Sequence, residues 1–243
     1  MSIDTERGKI CFFEDFIGKD VVADNPEWAV DTDPAVEIVA ATNGTGDGGV
    51  VRVTMDAGQT NIGGIGFGQT QWNALDNYLY FEARVKLSAL GTGAERVFVG
   101  LTDLQEDTLS EFPFTGATLT TTAVADPNDA IGFFWEGDMT GACWFPASQN
   151  ADTLIVHGSL NMTTEQKANA TITAAAWHTL SFRVDSAGKA AEFYVDGKQV
   201  YRYSGSTAVV ADVSLSPVFV ATEGTTAINA DIDYIYVEMG RDN

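Results

Sequence analysis

Positive charge is scarce in this sequence. Thirteen Lys and Arg residues face 34 Asp and Glu, a formal net charge of −21. Phosphate backbones and anionic membranes repel such a surface, so neither nucleic acid nor a membrane is expected as a partner. Cysteine is limited to Cys11 and Cys143. They lie far apart, show no metal-ligand spacing, and each precedes an aromatic residue, so buried thiols are expected rather than a bridge. The two histidines, His157 and His178, have no Ser or Cys in a nucleophile elbow nearby, and Gly-x-Ser-x-Gly is missing. Zinc-type His/Cys clusters are missing too. No run of about eighteen apolar residues occurs, so no membrane-spanning helix is expected. The opening MSIDTERGKI is charged and lacks an apolar signal-peptide core, which implies synthesis in a cytoplasm. Helical periodicity over ten or more residues is found nowhere.

What is present is β-strand pattern. The segment Trp177–Tyr203 is the clearest: Leu180, Phe182 and Val184 alternate with Thr179, Ser181 and Arg183. A period of two marks a strand with one buried face. Ser186-Ala-Gly-Lys189 supplies a turn, Phe193 and Val195 resume the alternation, and Asp196-Gly197 suits a type I′ hairpin. Three antiparallel strands in succession are therefore expected. Tyr78–Leu87 alternates as cleanly, with Leu79, Phe81, Ala83, Val85 and Leu87 on one side and Glu82, Arg84 and Lys86 on the other. Further strands are expected at 11–18, 36–40, 50–55, 97–101, 131–135, 153–156, 217–221 and 232–239. Glycines at 63, 64, 66 and 68 point to close sheet packing. Residues 102–128 read as a long loop or insertion. The length suits one large all-β domain: a polar N-terminal arm over 1–10, then a single β-sandwich over 11–243.

The early strand, the meander with its Trp-His-Thr-Leu-Ser-Phe opening, the Asp-Gly hairpin and the closing Asp-Ile-Asp-Tyr-Ile-Tyr-Val strand resemble the concanavalin A-like (laminin-G-like) jelly-roll superfamily. The resemblance implies two curved antiparallel sheets packed face to face. Ala130-Ile-Gly-Phe-Phe-Trp-Glu-Gly-Asp138 and the Val218–Glu238 ending look like virion structural proteins of tailed phages. That likeness implies a non-enzymatic subunit of the virion, such as a capsid decoration protein or head fibre. It would be made in the host cytoplasm and partnered by the major capsid protein, other virion proteins and copies of itself.

The superfamily includes glycoside hydrolases, whose retaining members carry Glu-x-Asp-x-x-Glu along one strand. That run is missing here; Glu14 and Asp15 point to opposite faces, and Asp231 and Asp233 share a face without a glutamate to complete the set. No catalytic residue is therefore nominated, and a solvated outer face accounts for the aspartates. Asp103, Glu106 and Asp107 cluster in a loop without EF-hand spacing, so no metal or other cofactor is nominated either. Carbohydrate binding is the functional rival to a purely structural role. Trp72, Trp135, Glu136, Asp138 and Trp144 supply the aromatic and carboxylate types that a sugar site needs, although tryptophans more often fill sandwich cores.

Overall fold

The computed structural model describes residues 9–16, 29–32, 37–41, 49–58, 61–67, 72–74, 78–103, 112–114, 128–139, 141–151, 153–205, 207–209 and 212–240. Fifteen strands run through these residues: β1 Lys9–Glu14, β2 Ala29–Thr32, β3 Glu37–Ala41, β4 Val50–Met55, β5 Ile62–Gly66, β6 Leu79–Leu87, β7 Arg96–Thr102, β8 Ala130–Glu136, β9 Phe145–Asn150, β10 Thr153–His157, β11 Trp177–Val184, β12 Ala191–Val195, β13 Lys198–Tyr203, β14 Ser216–Thr222 and β15 Ile228–Gly240. They form two antiparallel sheets. The first runs β13-β12-β11-β6-β15-β4-β3, with β1 also on β15; the second runs β10-β9-β8-β7-β14-β5-β2. The 13-residue β15 serves two partners along one edge, β4 with Ile228–Ile232 and β1 with Ile235–Gly240.

Alternation decides which side chains go inward. Leu79, Phe81, Ala83, Val85 and Leu87 of β6 are all fully buried, while Tyr80, Glu82, Arg84 and Lys86 between them are half-buried on the outer face. Between the sheets Phe81 stacks on Phe182 at 5.0 Å, Phe182 meets Phe193 at 5.9 Å, and Phe193 meets Phe133 of the opposite sheet edge-on at 5.7 Å. Such aromatic pairs add to the stabilisation from burial alone. The Asp196-Gly197 hairpin has φ of 50° and 74°, the signs a type I′ turn requires.

The outer face of the second sheet is covered. Phe98 and Phe134 point away from the other sheet, yet both are buried because Phe112 and Phe114 fold over them at ring distances of 5.4–6.5 Å. The 102–128 segment, expected as a loop or insertion, supplies a small second core through Phe112 and Phe114. Gly64 has no room for a side chain: a Cβ there would sit 2.3 Å from the Phe219 carbonyl oxygen, as expected of close packing.

Three features depart from the sequence reading. β1 begins at Lys9, because Lys9 and Ile10 pair with Gly240 and Met239, inside the stretch expected as an arm. β9 was not expected; its sequence, Phe-Pro-Ala-Ser-Gln-Asn, neither alternates nor favours a strand, and pairing with β8 and β10 imposes it. Two short helices, α1 Gly158–Asn161 and α2 Thr164–Asn169, separate β10 from β11. α2 is too short for periodicity to show, but Thr163 and Gln166 form a capping box, which is a legible signal. Asn25–Trp28, whose sequence suggests the beginning of a loop or short strand, and all but Gly49 of the glycine-rich turn expected over Asn43–Gly49 lie outside the described residues.

Replacing Phe182 by Ala is expected to remove about 3–5 kcal/mol of stability through the cavity left behind. For a domain of this size that is roughly 6–20 °C in Tm. Thermal melts of the variant against the wild type measure it; an unchanged Tm would contradict this account of the core.

Candidate functional site

Three of four consecutive strands in the first sheet carry a tyrosine and a glutamate two positions apart: Tyr80 and Glu82 in β6, Tyr236 and Glu238 in β15, Glu192 and Tyr194 in β12. A spacing of two puts both members of each pair on one face. The inward neighbours are core residues, so the face in question is the outer one. Register then lines these residues up in rows. One row across the strands is Cys11, Glu238, Tyr80, Arg183, Glu192 and Arg202. The next is Phe13, Tyr236, Glu82, Ser181, Tyr194 and Gln199.

Within each pair the phenol donates to the carboxylate. Tyr80 Oη donates to Glu82 Oε2 at 2.6 Å, Tyr236 Oη to Glu238 Oε2 at 2.6 Å and Tyr194 Oη to Glu192 Oε2 at 2.9 Å. Tyr234 Oη occupies the other oxygen of Glu82 at 2.8 Å. The other oxygen of Glu238 takes Tyr78 Oη and, at 2.9 Å, Lys9 Nζ. The thiol of Cys11 lies 3.3 Å from Tyr236 Oη. At the rim, Asp196 accepts from the Thr179 N–H at 2.9 Å and pairs with His178 Nδ1 at 2.8 Å. The Thr173 N–H donates to His178 Nε2 at 3.1 Å, so that nitrogen carries no proton and Nδ1 is the donor to Asp196.

Together these side chains line an open depression of about 980 Å³ bounded by Lys9, Tyr78, Tyr80, Glu82, Arg183, Glu192, Tyr194, Asp196, Tyr236 and Glu238. Partial burial pushes the Tyr80, Tyr234 and Tyr236 phenols up, and acceptance by Glu82, Glu238 or Cys11 pushes them further, Tyr234 to about 12. Burial also pushes Glu238 up, but the hydrogen bonds from Tyr236, Tyr78 and Lys9 outweigh it and hold the carboxyl below its ordinary range. Glu238 is therefore an acceptor at neutral pH, not a proton donor. Oriented carboxylates, phenol oxygens and aromatic rings in one open depression suit a ligand rich in hydroxyls, with apolar ring faces between them.

The five residues nominated from sequence fall elsewhere. Trp72, Trp135 and Trp144 are 4 %, 1 % and 0 % exposed, which leaves no ring face for a sugar. Glu136 is also buried and forms an ion pair with Arg96 at 2.7 Å; burial is what pushes its carboxyl up. Asp138 alone is exposed, in the turn after β8. The aspartates read as a solvated face need correction as well. Asp231 is 1 % exposed, held by Arg52 at 2.6 Å and Lys86 at 2.9 Å, while Asp233 pairs with Arg84 at 2.6 Å. No group of three or more His, Cys, Asp or Glu able to hold a metal occurs among the described residues; Glu106 and Asp107 lie outside them. Both cysteines are free, Cys143 buried and Cys11 half-buried.

The two sheets and their strand order define a concanavalin A-like jelly roll, the fold of legume lectins and related β-sandwiches. No protein-family model matches the sequence, and no curated protein matches it. Among solved structures, the chain is similar to a protein of unknown function from Shewanella oneidensis MR-1, with TM-score 0.61, 16 % identity, and 100 % of this chain and 92 % of that one covered. It is similar as well to an endo-1,3-beta-glucanase from Streptomyces sioyaensis (TM-score 0.59, 14 % identity, coverage 98 % and 99 %) and to peanut lectin (0.58, 11 %, 97 % and 99 %). At these identities the likeness concerns the fold.

The raised phenols give a test of the site's geometry. Above pH ~10 an unfolded chain loses tyrosine protons that the folded sheet retains, so stability is expected to fall as pH rises from about 10 towards 12. Urea melts at pH 9, 10 and 11 measure it. Tyr234→Phe and Tyr236→Phe together should flatten the fall, and an equally steep fall in that double variant would contradict the assignment.

Proposed function

We propose that this chain is a non-catalytic carbohydrate-binding jelly roll whose contact surface is the tyrosine–glutamate face of β15, β6, β11 and β12. The observation that carries the reading is the set of Tyr-Glu pairs at a spacing of two, lining an open depression on the exposed face of a sheet. Phenols and carboxylates fixed by one another are pre-oriented acceptors for sugar hydroxyls, and little side-chain freedom is lost on binding. Peanut lectin is similar to this chain in fold, which supports the reading. Absence of the Glu-x-Asp-x-x-Glu run supports binding without bond cleavage, and Glu238, held as carboxylate, is an acceptor for a sugar hydroxyl.

The setting proposed for this activity is the surface of a tailed-phage particle. There the chain joins other virion proteins as a homo-oligomer and serves adhesion to the host. Support for the setting comes from the resemblance of Ala130–Asp138 and Val218–Glu238 to virion proteins and from the net charge of −21, which suits dense display.

On a glycan array the wild-type chain is expected to bind a defined subset of oligosaccharides. Tyr80→Ala and Tyr236→Ala should each weaken that binding by about tenfold or more. Trp135→Phe, at a buried site, should leave affinity unchanged in whatever fraction folds. An array without hits would defeat the reading. Mass spectrometry of purified particles tests the setting independently: the polypeptide should be present in stoichiometric amount.

A further inference from the structure

Among the described residues, every carboxylate named on the site face has a donor or a cation, and every cation on that face except Arg183 has a carboxylate. Glu238 has Lys9 at 2.9 Å, Glu192 has Arg202 at 3.5 Å, Asp231 has Arg52 and Lys86, Asp233 has Arg84, and Glu82 is held by the phenols of Tyr80 and Tyr234. Arg183 is exposed and forms no ion pair among the described residues. This happens in a chain where carboxylates outnumber cations by 34 to 13, and where Glu192 stands directly opposite Arg183 in the ladder. Glu192 turns instead to Arg202 and to Tyr194 Oη.

The guanidinium of Arg183 is nevertheless held in place. It lies 5.0 Å from the centroid of the Tyr78 ring, a cation–π distance, and Tyr78 is itself tied to Glu238. Its position is a junction. Tyr78, Arg183 and Glu192 belong both to the 980 Å³ depression and to a second one of about 500 Å³ that continues past Ser186 and Arg202. A bound oligosaccharide running from one depression into the other passes over this guanidinium.

We infer that Arg183 seats the carboxylate of an acidic sugar, a hexuronic or nonulosonic acid residue. The site then selects acidic glycans; the inference rests on the carbohydrate-binding reading above. A guanidinium fixed by stacking presents a rigid fork of N–H donors, which a planar carboxylate meets at two points. One unpaired cation matches one monoanion. The chain's overall charge of −21 does not forbid this, because at physiological ionic strength charges beyond about 8–10 Å are largely screened. The nearer carboxylates each carry a donor of their own, so a ligand carboxylate meets the cation of this face that has no ion pair among the described residues.

Isothermal titration with two matched pairs of ligands tests the inference: tri-galacturonate against its carboxyl-reduced trimer, and 3′-sialyllactose against lactose. The wild type is expected to bind the acidic member of at least one pair about tenfold or more tighter. Arg183→Ala should erase that preference, so that the acidic and neutral members bind within about twofold of one another, while a cooperative thermal melt shows that the variant is folded. Arg183→Lys should restore part of the preference, as charge returns without the fork. Equal binding of both members of both pairs, or a preference that survives Arg183→Ala, overturns the inference and leaves the carbohydrate-binding reading standing. So does tighter binding of a sulfated trimer than of the carboxylated one. Failure to bind any of these sugars, together with an array without hits, overturns both.

Discussion

Phe81 lies flat against Phe182, and Phe193 carries the contact across to Phe133 on the facing sheet. The rest of the architecture depends on this seam. Burial of these rings and of their aliphatic neighbours commits one parity of residues in β6, β11 and β12 to the interior. The other parity is then committed to the outside, because a strand offers no third direction. In β15 the parity changes once, between Ile232 and Tyr234, where the register with β6 shifts. That irregularity keeps Asp231, Tyr234, Tyr236 and Glu238 on the outer face, although their spacing in the sequence is not uniform.

Scarcity of cations shapes how the outer face is assembled. Seven basic residues, Lys9, Arg52, Arg84, Lys86, Arg183, Lys198 and Arg202, lie on the described strands of this sheet, and all but Arg183 and Lys198 are spent on carboxylates among the described residues. Phenols do the rest. Tyr78, Tyr80, Tyr194, Tyr234 and Tyr236 donate to Glu238, Glu192 and Glu82, so a strongly acidic chain satisfies clustered carboxylates with neutral donors. A charged acceptor makes each such bond stronger than a neutral one, and it holds the rings in fixed positions.

The two sheets treat their outer faces in opposite ways. Phe112 and Phe114 close over Phe98 and Phe134, and Gly100 and Gly132 leave room for the Phe98 ring, which a Cβ at either position would meet at 2.9 Å. That face becomes interior. The face of β12, β11, β6 and β15 receives no such cover among the described residues, and it is there that polar and aromatic groups converge on a depression. The tryptophans illustrate the same division: Trp135 and Trp144 fill interior volume, whereas Trp177, half-buried, lies beneath Arg84 and Lys86 on the outer face of the first sheet.

Period-two hydrophobicity in β4, β6, β11, β12 and β15, together with the Asp196-Gly197 turn, sufficed to determine an all-β sandwich from the sequence, because burial of one strand face leaves a direct imprint on residue order. β9 left no such imprint: its backbone pairs with β8 and β10 whatever its side chains prefer. The Tyr-x-Glu spacing was visible in YFE, EFY and YVE, yet its meaning was not, since only strand order and register bring three distant segments side by side. Attention to tryptophan misled for a related reason. Residue type does not reveal whether a large ring faces the seam or the solvent, and at Trp72, Trp135 and Trp144 packing chose the interior. That Arg183 has no ion pair among the described residues belongs wholly to the tertiary structure, because an ion pair is a matter of geometry between strands, and no count of charges along the chain discloses which cations are left without one.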